Sequence, residues 1–84
     1  MDDKILVRVY LPLIEEEYDI YIPINKKIGT VKQLIISTII EMSDADLSKI
    51  NNLTLYDKET GGSFDNNIYV KNSTIRNGTK LLLL

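Results

Sequence analysis

The chain closes on Lys80-Leu81-Leu82-Leu83-Leu84, four consecutive leucines shortly after an Asn77-Gly78 pair. Asn-Gly suits the positive-φ positions of a tight turn, so an extended segment starts soon after it. Successive side chains of a strand alternate between faces, and a leucine run is therefore apolar on both. In a small domain such a strand is usually a central one. Any fold for this chain must bring its last strand between strands from earlier in the sequence.

The earlier strands are legible by their period of two. Residues 4–11 place Ile5, Val7, Val9 and Leu11 on one face and Lys4, Leu6, Arg8 and Tyr10 on the other. Residues 18–24 place Ile20, Ile22 and Ile24 inward and Asp19, Tyr21 and Pro23 outward, and Pro23 lacks the N–H of a central ladder, so this strand belongs at an edge. The connection between them has hairpin length. Its run Glu15-Glu16-Glu17 is a solvated turn, because like charges favour water over convergence.

A different period follows. Thr30-Val31-Lys32-Gln33 fits a capping box with Thr30 as N-cap, and Gly29 before it lets the chain turn. Val31, Leu34, Ile35, Ile39 and Met42 recur at helical spacing as one stripe that ends near Ser43. At about 100° per residue, Ile36 and Ile40 fall outside it. From Ser43 the sequence resembles a second short helical turn through Ile50. Asp44, Asp46 and Ser48 match the opening spacing of a calcium-binding loop, but Lys49 stands where that loop needs glycine and Leu55 where it needs glutamate. Residues 53–57 read as a third strand with Leu53 and Leu55 inward. Gly61-Gly62 reads as a turn, and residues 64–70 as a short fourth strand or irregular segment.

Composition narrows the chemistry. A single domain of 84 residues buries only roughly 60–65% of its unfolded surface, leaving little room for a deep active site. There is no Cys and no His, which removes thiol nucleophiles, cysteine-held zinc, and the commonest general base and metal ligand. Neither an enzyme nor a cofactor or metal is expected. The net charge of −2 has both signs interspersed, without the basic footprint of nucleic-acid binding. No apolar stretch approaches the ~18 residues of a membrane span, and the acidic start lacks a signal peptide's basic region, so a cytoplasmic protein is expected.

The elements run strand, strand, helix, helical turn, strand, short strand, strand. One helix on a mixed sheet of four to five strands is an α+β, two-layer solution, and a central last strand parallel to the first gives the order 2-1-5-3-4. That order resembles the ubiquitin-like β-grasp fold along the whole chain, taken as one domain over residues 1–84. Within it, Tyr18-Asp19-Ile20 followed by Ile22-Pro23, the apolar helix over 31–42, and Ile75-x-Asn77-Gly78-x-x-Leu81 before terminal leucines resemble the YukD/EsaB family of small ubiquitin-like proteins, which is associated with type VII secretion in Gram-positive bacteria. The resemblance implies a non-conjugated cytoplasmic accessory or regulatory protein acting through protein contacts, with secretion-system components as partners and self-association left open. The alternative is a modifier or sulfur carrier whose C-terminal diglycine is absent from this chain. A tail donated to an enzyme must be flexible, and Leu84 is expected to belong to a strand.

The helix takes one face of such a sheet, so the outward face is the candidate partner-binding surface. Leu6, Arg8 and Tyr10 of the first strand, Thr54 and Tyr56 of the third, and Leu82 and Leu84 of the last all point there. Strands ~4.8 Å apart make these one patch of apolar, aromatic and arginine side chains. Ubiquitin itself is recognised in this region, although Thr54 stands here in place of an apolar centre. Ile36 and Ile40 on the helix are the secondary candidates.

Overall fold

A computed structural model describes residues 3–44 and 52–84. The strands are β1 (Lys4–Leu11), β2 (Glu16–Pro23), β3 (Leu55–Asp57) and β4 (Lys80–Leu83), and the helix α1 spans Ile28–Met42. Single 3-10 turns occupy Pro12–Ile14 and Val70–Asn72. The sheet has the order β2-β1-β4-β3. β4 runs parallel to β1, with Tyr10 opposite Leu82, and antiparallel to β3, with Leu55 opposite Leu83. The leucine strand is thus central, as its two-faced apolarity requires. β2 is the edge beyond β1 and ends at Pro23, where a missing N–H costs the ladder least.

Period-two alternation holds through the sheet. Val7, Val9, Leu11, Ile20, Ile22, Leu55, Leu81 and Leu83 are buried on the inward face against Ile28, Val31, Ile35 and Ile39 of α1, with Val70 and Ile75 completing the core. Each such side chain contributes roughly 1.5–3 kcal/mol of transfer free energy when fully buried. The β1–β2 link is the Pro12–Ile14 turn, closed by Glu15 in the left-handed region at φ 55°. Glu15, Glu16 and Glu17 are all exposed, but only Glu15 belongs to the expected turn: Glu16 and Glu17 open β2 opposite Leu11 and Tyr10, so the strand begins two residues earlier than its alternation predicts.

Several expectations from the sequence are corrected. Of the two readings of residues 64–70, a short fourth strand or an irregular segment, the irregular one holds, so the sheet has four strands and the order 2-1-5-3-4 loses its last member. That segment instead runs back along residues 24–29: Lys71 N–H donates to Ile24 C=O (2.9 Å), Val70 N–H to Lys26 C=O (2.9 Å), Ile28 N–H to Ile68 C=O (2.8 Å) and Gly29 N–H to Asn66 C=O (3.0 Å). The first donors of α1 are thereby satisfied by backbone distant in sequence. The helix starts at Ile28, with Lys27 as N-cap and no side-chain cap, and Thr30 lies inside its first turn instead of capping it. Gly29 serves close approach, since a Cβ there would lie 3.1 Å from Asn66 Cβ and 3.2 Å from Asn66 O.

The buried stripe of α1 is Ile28, Val31, Ile35 and Ile39, while Leu34 is 46% and Met42 57% exposed. Ile36, expected outside the stripe, is half-buried and packs against the core. Leu34 and Ile36 lie at about 100° on opposite sides of that stripe, so periodicity alone treats them as equals. Leu53 and Thr54 precede β3 instead of opening it. The expected helical turn from Ser43 to Ile50 lies mostly outside the described residues.

Candidate protein-interaction surface

The face of the sheet turned away from α1 is organised in rows set by strand register. Across its middle run Glu17, Tyr10, Leu82 and Tyr56, each directly opposite the next, with Ser63 bridging beyond Tyr56. Tyr10, Leu82 and Tyr56 are half-buried. This follows from their place in the fold: Tyr10 and Leu82 on the two central strands, and Tyr56 between Leu82 and Ser63, are shielded laterally by their neighbours while their outer tips meet solvent. The parallel row through Arg8 has Asp19 on one side and Lys80 on the other, and the row through Leu6 ends on Tyr21. Adjacent to β3 and β4, Thr54 and Leu84 exchange both backbone hydrogen bonds (2.9 and 3.0 Å), extending the ladder by one pair past the strands themselves.

The outward-face residues expected from the sequence therefore come together, with Leu84 at the margin and 57% exposed. The helix candidates do not join them. Ile36 is engaged with the core, and Ile40, 44% exposed, sits on the helix layer. Sequence reasoning missed Tyr21, 64% exposed beside Leu6, although the alternation of residues 18–24 had already turned it outward.

Two ion pairs frame the apolar row, and both were missed. Arg8 Nε donates to Asp19 Oδ1 at 3.0 Å. That hydrogen bond, the Asp19 charge and the Glu17 charge raise the arginine pKa above its ordinary value. Lys58 Nζ lies 3.3 Å from Glu17 Oε2 and 4.8 Å from the centroid of the Tyr10 ring. The ammonium is held between a carboxylate and an aromatic face, and it screens part of Tyr10 from solvent. Exposed pairs of this kind contribute little to stability. Their effect is geometric: Arg8 and Asp19 place charge in the neighbouring row, and Lys58 passes over Tyr10 to Glu17, so the apolar surface centres on Leu82 and Tyr56. An apolar, aromatic centre inside a charged rim is the anatomy of a protein interface.

Among the described residues no cluster of three or more acidic side chains is placed to hold a metal ion, and no helix is long and apolar enough to cross a membrane.

No protein-family model matches the chain, and no curated protein matches it in sequence. Solved structures do match in fold. One, described under molecular mimicry of SUMO promoting DNA repair, superposes over 100% of this chain and 94% of its own, with a TM-score of 0.71 and 14% identity. The ubiquitin-like domain of an Arabidopsis thaliana protein matches over 99% of this chain and 78% of its own, with a TM-score of 0.68 and 14% identity. A chain of the MycP5-free ESX-5 inner membrane complex matches over 99% of this chain, with a TM-score of 0.73 and 12% identity, and this chain spans 21% of its length. At these identities the likeness establishes the fold: one helix on a mixed four-stranded sheet, the ubiquitin-like β-grasp.

Proposed function

We propose that this chain is a ubiquitin-like protein-interaction module, not a conjugated modifier, that serves as a cytoplasmic accessory or regulatory component of a type VII secretion system, as YukD/EsaB-like proteins do. The observation that carries the interaction reading is the Tyr10–Leu82–Tyr56 row: contiguous, half-exposed, and framed by Arg8–Asp19 and Lys58–Glu17. The secretion assignment draws on the sequence resemblance and on the fold shared with part of a chain from an ESX-5 inner membrane complex. The module contributes binding and no catalytic step, and its partner is a protein that covers the outward face.

Affinity capture on the tagged protein, paired with variants, tests both levels. A secretion-system component should be retained by the native protein and lost from Leu82→Glu. Tyr56→Ala should weaken binding by about 2 kcal/mol if Tyr56 is an anchor. Both variants should keep their circular dichroism and cooperative melting. Leu83→Glu, one residue along and 1% exposed, should unfold the domain, because it places an uncompensated charge in the core. Full retention by both folded variants would refute the surface, and a captured partner unrelated to secretion would refute the assignment.

A further inference from the structure

Beyond the end of β3, on the helix side of the sheet, an open cleft of about 540 Å³ lies between the turn at residues 57–63 and the segment at 64–74. Ile28, Phe64 and Ile68 give it apolar surface, and Asp57 and Asp65 give it two carboxylates. Both aspartates are held by their own turns. Asp57 Oδ1 accepts the N–H groups of Glu59 (2.8 Å) and Thr60 (3.1 Å), and Asp65 Oδ1 accepts that of Asn67 (2.8 Å). Among the described residues the second oxygen of each accepts no hydrogen bond and neither carboxylate makes an ion pair. Strand alternation explains part of this. Asp57 shares the inward side with Leu55, whereas its neighbour Lys58 reaches across the outward face to Glu17. Nor do these carboxylates cap α1, whose first N–H groups are taken by the carbonyls of Ile68 and Asn66.

We propose that this cleft receives an arginine side chain from a partner protein, at a site separate from the outward face and independent of the function assigned to it. The match is one of shape and charge. The arginine methylenes lie on Phe64 and Ile68, and the guanidinium, with five donors on a planar fork, meets the free carboxylate oxygens. A smaller hard cation fits less well, because apolar groups supply much of the lining and offer it no ligands.

The probe is the blocked tripeptide acetyl-Gly-Arg-Gly-amide, titrated into the ¹⁵N-labelled protein, with the citrulline peptide as its neutral isostere. The expected result is a saturable shift confined to amides such as Thr60, Gly62, Asn67 and Ile68, at least tenfold tighter than for citrulline. The Asp57→Asn, Asp65→Asn double variant keeps both turn-forming acceptors and should lose at least tenfold in affinity. Ile68→Ser, at an exposed position, should lose about threefold and keeps the test alive if the double variant fails to fold. Absence of a saturable shift, equal binding of citrulline, or undiminished binding by a folded double variant would each overturn the proposal. So would the same shifts at lower concentrations of calcium chloride, since the cleft would then be a metal site.

Discussion

Gly29 and Gly78 hold their positions for different physical reasons, and substitution separates them. Gly78 sits at φ 89° with open space around a Cβ, and its N–H donates to Leu6 C=O at 2.7 Å. Alanine there pays only for the left-handed backbone, about 1–2 kcal/mol, and asparagine, which tolerates that region, should recover part of it. Gly29 has no such φ, and alanine in a helix interior normally gains up to about 1 kcal/mol over glycine. Here the new Cβ would press on Asn66 and its carbonyl, so Gly29→Ala should destabilise and Gly29→Asn should do worse. Urea melts of the four variants give the answer, and a stabilising Gly29→Ala would disprove the close approach. The two helix isoleucines divide in the same way. Ile40→Lys should stay within about 0.5 kcal/mol, as surface substitutions do, and Ile36→Lys should cost more than about 1 kcal/mol because it uproots a side chain packed on the core. The periodicity put both outside the stripe on one flank, with Ile40 about 40° farther round than Ile36, but did not show that the rest of the chain covers that flank as far as Ile36.

At the level of elements, what could be read was what depends on local pattern. β1 matched its expected bounds, the edge position of β2 followed from Pro23, and the centrality of β4 followed from its leucines. The outward-face residues were legible for the same reason, because alternation fixes a side chain's face without knowledge of the neighbouring strand. The start of α1 was not legible. Its first donors are satisfied by Asn66 and Ile68, nearly forty residues away, and a reading confined to neighbours promotes the nearest cap-like residue, Thr30. The same pairing explains why residues 66–70 carry strand-like side chains without joining the sheet: Asn66, Ile68 and Val70 bond to the helix start and to the segment leading into it, whereas Phe64 N–H turns back to Leu55 C=O of β3 (3.3 Å). This is testable. A true N-cap threonine replaced by alanine costs about 1 kcal/mol, whereas Thr30→Ala should leave stability within about 0.5 kcal/mol. Val70→Ala, at a fully buried position of the docking segment, should cost 2 kcal/mol or more by analogy with other buried truncations, and hydrogen exchange at Ile28 and Gly29 should accelerate along with it.

The whole molecule hinges on β4. β1 and β2 form a local hairpin, but β1 and β3 are joined only through the strand between them. Arg8 faces Lys80 and Tyr10 faces Leu82, so the parallel pairing closes nearly the full length of the chain. Closing so long a loop costs entropy before its contacts repay it, and an isolated hairpin is marginal in water. The hairpin and the helix should therefore gain stability only when β4 docks, and folding should be all-or-none instead of hairpin first. A chain shortened to residues 1–80 tests this directly. It keeps β1, β2, α1 and β3 intact in sequence and loses Leu81 and Leu83 from the core together with the ladder bonds to both neighbours. Removing two buried leucines alone costs roughly 4–10 kcal/mol on the scale of buried leucine truncations, comparable to the whole stability of a small domain. The shortened chain should show collapsed amide dispersion and no cooperative melt, including at Val7 and Ile20 in the hairpin. If the β1–β2 amides keep native shifts and slow exchange in the shortened chain, the hairpin is an independent unit. The central strand would then be a late addition and not the element on which the fold depends.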